Sequence, residues 1–211
     1  MIAPQDRGIY LASRSPRRRE LLTQIGVRYH LLLFRERPES GLEVNEEPLA
    51  GETPDAYVER VARAKADAGW RRMLQRNLPQ APVLAADTTV ALEGRIFGKP
   101  ADRKEAASML AALSGRSHEV LTGVALQNDE RVEYALSRSE VRFKQLSARE
   151  IEDYVATGEA DDKAGAYAIQ GHAARFVAEL RGSYSGVMGL PLYETGQMLE
   201  RLARPRERKF S

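Results

Sequence analysis

The sequence predicts a mixed α/β domain, and three observations predict it. Segments with apolar residues at helical spacing alternate with pairs of strand-like runs, which argues against a strict βαβ series. Val83 to Leu92 is a nearly continuous apolar stretch broken only by Asp87-Thr88-Thr89, and it reads as a buried strand carrying a carboxylate. The chain has 211 residues, 43% of them hydrophobic, and no internal repeat, so one domain spans its length, with a mixed twisted sheet, helices and two lobes around a cleft.

Each element follows in order. Gly8 to Ala12 reads as a short strand; a Ser-rich turn comes next, then a helix with Leu21, Leu22 and Ile25 on one face, stopped by Gly26. Val27 to Phe34 reads as a second strand, and Arg35 to Thr53, with Pro38, Gly41, Pro48 and Gly51, as a long irregular excursion. A helix starting near Pro54 carries Tyr57, Val58, Val61 and Ala62 on one face and runs to about Leu74. After Val83–Leu92, Asp102 caps a helix containing Met109 and Leu113 that ends at Gly115. Val120 to Gln127 and Val132 to Phe143 form a hairpin across Asn128-Asp129. Ser147-Ala-Arg-Glu150 is a capping box for a helix ending near Gly158. Arg175 to Arg181 reads as a late strand, Leu192 to Leu202 as a closing helix, and Arg204 to Ser211 as a fraying polar tail.

Composition narrows the function. With no Cys, disulfides, thiolate metal sites and Cys nucleophiles are excluded, and the cytoplasm is the expected compartment. No apolar run reaches the roughly 18 residues of a membrane helix, and no signal-peptide pattern opens the chain. The net charge of +2 does not argue for nucleic acid, and no aromatic stacking platform lies between Ser13 and Thr23. His30, His118 and His172 show no metal-ligand spacing and read as surface or capping residues.

Four segments could carry chemistry. In Ser13-Arg14-Ser15-Pro16-Arg17-Arg18-Arg19, Ser15 is suited to an N-cap and Pro16 to the first helical position, so a helix start and several guanidinium groups face one space, an arrangement suited to polyphosphate. The alternative is a solvated cap with surface arginines. Asp87, buried in an apolar strand, calls for a metal, a base role or a turn hydrogen bond, because an unpaired buried carboxylate is costly. Gly94-Arg-Ile-Phe-Gly98-Lys99-Pro100 fails the P-loop pattern in spacing and at Pro100, leaving Lys99 as a point charge for phosphate or a surface lysine beside a hairpin turn. Asp161 to Gly171 and Gly182 to Leu192 read as Gly-dense loops near a ligand, with Gln170 able to meet the edge of a pyrimidine. Any metal would be a hard cation, magnesium or manganese, on carboxylate and phosphate oxygens.

Leu11-Ala-Ser-Arg-Ser-Pro-Arg-Arg-Arg-Glu-Leu-Leu22, Ala86-Asp-Thr-Thr-Val90, Gly98-Lys-Pro100, Leu113-Ser-Gly115, Asp162-Lys-Ala-Gly-Ala-Tyr167, Ile169-Gln-Gly171 and Gly189-Leu-Pro191 together resemble the Maf family of nucleotide pyrophosphatases. The resemblance implies a fold like that of the inosine triphosphate pyrophosphatases and a cytoplasmic, homodimeric enzyme. It would use a divalent cation, Mg2+ or Mn2+, to cleave a nucleoside triphosphate to monophosphate and pyrophosphate. Asp-Thr in the central motif and the later Ile-Gln-Gly resemble the dTTP/UTP branch, whereas the 7-methyl-GTP branch differs there. On that resemblance Asp87 is the proton acceptor, Arg17, Thr88 and Gln170 set substrate choice, and Ser13, Arg18, Lys65 and Lys99 line the phosphates. The family's second acidic ligand, placed soon after the second strand, falls on Glu36 or Glu39, with Glu39 preferred beside Asp87 as a metal ligand. Neither membrane nor nucleic acid is an expected partner. The alternative is a nucleotide-binding regulator of septum formation and cell division without turnover, against which the retained Asp87 and Lys99 argue.

Overall fold

The computed structural model describes residues 8–33 and 44–203. Along the chain the elements are β1 (Ile9–Leu11), α1 (Pro16–Gln24), β2 (Tyr29–Leu31), α2 (Pro54–Gln75), β3 (Val83–Leu92), β4 (Arg95–Phe97), α3 (Arg103–Leu113), β5 (Ser117–Asn128), β6 (Arg131–Phe143), α4 (Ala148–Ala156), β7 (Val177–Arg181), α5 (Tyr184–Met188) and α6 (Leu192–Ala203). The strands form one mixed sheet in the order β2-β1-β3-β5-β6-β7, with β4 also paired to β3. β1 runs parallel to β2 and β3, and every other pairing is antiparallel. The mixed α/β class read from the sequence is the class observed.

Local chemistry accounts for the helix boundaries. Thr53 accepts from the Ala56 amide, Asp102 from the Glu105 amide, and Ser147 and Glu150 close a reciprocal capping box, so three helix starts have side-chain acceptors. Ser15 does occupy the α1 N-cap, but its side chain makes no capping bond. The Ser15 amide is instead taken by Ser13 Oγ at 3.1 Å.

Side chains alternate across β3 and sort the core into layers. Val83 and Ala85 pack against Ala62, Ala66 and Met73 of α2, and Ala91 joins Tyr57, Val58 and Val61 of the same helix. On the opposite face Leu84 and Ala86 meet Leu21, Leu22 and Met198 of α1 and α6, while Val90 and Leu92 meet residues of α3 and α4. Full burial of each such aliphatic side chain contributes roughly 1.5–3 kcal/mol before entropy is counted.

Several expected boundaries move. The strand expected over Val27–Phe34 is only Tyr29–Leu31, because the Val27 amide closes the end of α1 on Leu22 O and the strand pairs only with the three residues of β1. Phe34 itself lies outside the described residues, as do Glu36, Glu39 and the expected fraying tail at 204–211. The late strand begins at Val177 rather than Arg175, since His172–Phe176 winds into a 3-10 turn. The loop expected across Gly182–Leu192 contains α5, capped by Ser183 Oγ on the Gly186 amide and ended by Gly189 with φ +114°. His118, expected at the surface or in a cap, is 2% exposed and sits edge-on to Phe143 and Tyr167. Burial holds its imidazole down at about 4, so it is a neutral core residue at physiological pH.

The segment after α4 is fixed to the sheet by Gly165. Its amide donates to Gly98 O at 3.0 Å, its φ is +66°, and a Cβ there would lie 2.8–3.0 Å from the Val90 side chain. Gly165→Ala is therefore expected to lower stability by about 2 kcal/mol or more. Urea unfolding should show a lower midpoint with an unchanged slope.

Candidate active site

The site is a gap in the sheet. On one side of β3, β5 pairs continuously from Val83 to Ala91. On the other, β1 covers only Val83 and Leu84, and β4 covers only Val90 to Leu92. Between them the edge of β3 has no strand partner among the described residues, and Asp87 lies at its middle. The pleat sends Asp87 toward α2 and the adjacent Thr88 toward the opposite face.

On the α2 face, Asp87 is 6% exposed and its Oδ1 accepts from Lys65 Nζ at 2.8 Å. Its Oδ2 is buried without a hydrogen-bond partner among the described residues. Lys65 Nζ also lies 2.9 Å from Glu46 Oε2, so one ammonium bridges two carboxylates. Glu46 is held there by α2: Tyr57 Oη donates to its carbonyl at 2.8 Å, and Arg60 donates to Asn45 O, to Glu47 O and, with two nitrogens, to Glu52. Burial pushes the Glu46 carboxyl up, but Lys65, Lys99 and Arg18 outweigh it, and the net shift is below the ordinary value. The described end of the excursion, residues 44–53, thus folds back over the helix start and delivers a second acid. The second acid expected at Glu36 or Glu39, with Glu39 preferred, lies outside the described residues, and Glu46 is an acid the sequence did not single out. The available signal was the Pro48–Gly51 turn, which returns Glu46 to the helix carrying Lys65.

On the other face, α1 and α5 meet end to side. Arg18 Nε donates to Gly189 O at 2.7 Å and Arg17 Nε to Met188 O at 3.3 Å, so two arginines of α1 occupy the carbonyl end of α5. Arg18 also reaches Ser13 Oγ and Thr88 Oγ1, each at 3.4 Å. Burial depresses both guanidinium groups; Asp87 and Glu46 oppose the shift at Arg18, and Glu20 and Glu159 oppose it at Arg17. Thr88 Oγ1 lies 2.9 Å from Thr122 Oγ1 of β5, its register partner.

The remaining residues come from the segment after α4 and from the strand end at Lys99. Lys99 is exposed just beyond β4, and the Gly98–Gly165 bond brings Lys163 beside it. The Lys163 side chain is 13% exposed and touches Asp162. Burial pushes its ammonium down to about 8, helped by Arg17 and Lys99, so three cations share one electrostatic field. Lys163 belonged to a motif noted in the sequence, but no role was read for it. Gln170 is exposed, on a loop held by Glu159, whose carboxylate accepts from Tyr154 Oη and from the His172 amide and lies 2.9 Å from His172 Nδ1. That carboxylate approaches Gly171 so closely that a Cβ would meet it at 2.2 Å. No described hydrogen bond joins Gln170 to Thr88 or Arg17.

The arrangement is a buried acid, Asp87, and an exposed one, Glu46, bridged by a lysine, with basic side chains from three further segments, suited to a polyanion whose cleavage needs a proton acceptor. The Maf-like protein family model matches residues 8–202, and the chain belongs to that family. The dTTP/UTP pyrophosphatase of Nitrosomonas europaea is 56% identical over 200 residues, covering 95% of this chain and 97% of that protein. That of Aromatoleum aromaticum is 58% identical over 199 residues, covering 93% and 96%. Among solved structures, the Staphylococcus aureus Ham1 protein is a distant likeness, with TM-score 0.43 and 16% identity over 64% of this chain and 71% of that one. Among the described residues, no helix is long and apolar enough to cross a membrane.

If the Lys163 ammonium serves the polyanion, kcat/KM should fall as pH rises through about 8, because the charge is lost above that value in the free protein. Lys163→Arg should remove that alkaline limb and keep activity at neutral pH. A pH profile of kcat/KM for the two proteins measures this.

Proposed function

We propose that this chain hydrolyses dTTP and UTP, and modified pyrimidine nucleotides of the same hydrogen-bonding pattern, to the monophosphate and pyrophosphate. The observation that carries the reading is the Oδ2 of buried Asp87, without a hydrogen-bond partner among the described residues, at the open edge of β3 beside Lys65 and Glu46. It is joined by the names of relatives more than half identical over nearly the whole chain.

In this mechanism Arg17, Lys99 and Lys163 bind the phosphates electrostatically, with Ser13 and Arg18 at the start of α1. Lys65 holds Asp87 by Oδ1, leaving Oδ2 to take a proton from the attacking water. Attack is in line at the α-phosphorus, and the pyrophosphate that leaves is stabilised by the basic side chains. Placement in the low-dielectric gap makes these charges more effective than they would be in water. Arg17, Thr88 and Gln170 select the base and its sugar-phosphate position.

The donor set also fits a hard divalent cation, Mg2+ or Mn2+. Asp87 and Glu46, two carboxylates 2.8 and 2.9 Å from one lysine, would hold it together with phosphate oxygens. Held there, it would supply charge neutralisation on the phosphates. Glu39, the ligand expected from the sequence, lies outside the described residues, and Glu46 is proposed as a ligand beside Asp87. Action as a cytoplasmic homodimer completes the proposal and rests on the family resemblance.

The test is a nucleotide panel with magnesium or manganese that scores pyrophosphate separately from orthophosphate, run on the parent protein and Glu46→Gln. Pyrophosphate from UTP and dTTP, with turnover about 100-fold lower in Glu46→Gln and partly restored by raised metal, is the expected result. Tight nucleotide binding with no product from any triphosphate would replace the enzyme by a nucleotide-binding regulator.

A further inference from the structure

A count of hydroxyl protons fixes the direction of a buried relay. Thr122 is fully buried on β5 and its Oγ1 donates to Gly186 O at 2.7 Å. A threonine hydroxyl has one proton, so the 2.9 Å contact between Thr122 and Thr88 is donated by Thr88. Arg18 Nη2 donates into Thr88 Oγ1 from the other side at 3.4 Å. The relay therefore runs from Arg18 to Thr88 to Thr122 to the Gly186 carbonyl. Reversing it would set the Thr122 lone pairs against Gly186 O at hydrogen-bonding distance.

Thr88 consequently has no proton left to offer a ligand. It is also the one residue of β3 that is not buried, in a strand whose other nine are. What it presents is an acceptor. Uracil and thymine carry an N–H at position 3, whereas cytosine carries a lone pair there. The Gln170 amide holds both a donor and an acceptor and can rotate to meet either a carbonyl or an amino group at position 4, so it cannot by itself separate the two bases.

We propose that Thr122 is a positioning residue for substrate choice. By consuming the Thr88 proton it makes Thr88 an obligate acceptor, admitting pyrimidines with an N3–H and refusing cytosine. This inference rests on the proposed pyrimidine triphosphate activity and goes beyond it by naming the atom read and the residue that sets its polarity. A lone-pair clash or an unpaired buried group at such a site is expected to give about tenfold discrimination between the two bases.

The experiment measures kcat/KM for UTP, dTTP and CTP with the parent, Thr122→Val and Thr122→Ser, alongside N3-methyl-UTP and 5-methyl-UTP with the parent. The parent is expected to prefer UTP to CTP and to accept 5-methyl-UTP while rejecting N3-methyl-UTP. Thr122→Val keeps the shape and frees the Thr88 proton, so the UTP/CTP ratio should fall about tenfold, and Thr122→Ser should restore it. A Val variant that loses both substrates in parallel, or keeps the parent ratio, overturns the assignment. So does a parent that hydrolyses UTP and CTP equally or accepts N3-methyl-UTP, and these two results hold even if the Val variant does not fold. A parent inactive on every pyrimidine triphosphate overturns the activity itself, and the assignment with it.

Discussion

A carboxylate buried in the middle of a sheet constrains the rest of this molecule. Burying Asp87 without a partner would cost several kcal/mol, and removing one member of a buried ion pair typically costs about 3–5 kcal/mol. Lys65 meets that demand with one oxygen, which requires α2 to lie along the sheet at a fixed height. Gly123, opposite Asp87 on β5, lets the helix come close: a Cβ there would stand 3.0 Å from Val58 O. The second oxygen has no hydrogen-bond partner among the described residues, and the edge of β3 is unpaired at the same position. The short β1 and β4 are thus as much a part of the site as the residues that line it.

The pleat of β3 divides the work. Asp87 and Thr88 are consecutive and point to opposite faces, so the proposed mechanism puts proton transfer on the α2 side and base selection on the side where α1 meets α5. Arg18 connects the two. It braces Thr88 and the Gly189 carbonyl, and its charge is felt at Glu46. A change at Arg18 would therefore disturb binding, base choice and the acid pair together.

Features of the sequence that act locally were legible in it. Caps at Asp102 and Ser147, the buried run through Asp87 and the hairpin after it all appear where the residue pattern places them. Features that depend on distant partners were not. Glu46 reaches the site because Tyr57 and Arg60 hold its loop from another element, and no local pattern encodes that contact. β2 is short because β1 is short. α5 lies in a stretch so dense in glycine that propensity alone argues against a helix; the Ser183 cap and the two arginines at its far end supply what propensity lacks. His118 was misplaced because a lone histidine carries no sign of whether an aromatic cluster will enclose it.

The central claim is that Asp87 serves the chemical step rather than folding or nucleotide capture. The most direct measurement compares Asp87→Asn with the parent protein for turnover of UTP and for affinity toward a non-hydrolysable UTP analogue, each protein first shown to be folded by its thermal transition. The account predicts affinity within about tenfold of the parent and turnover lower by at least about 1,000-fold. Turnover close to that of the parent, or affinity and turnover lost in the same proportion, would contradict it.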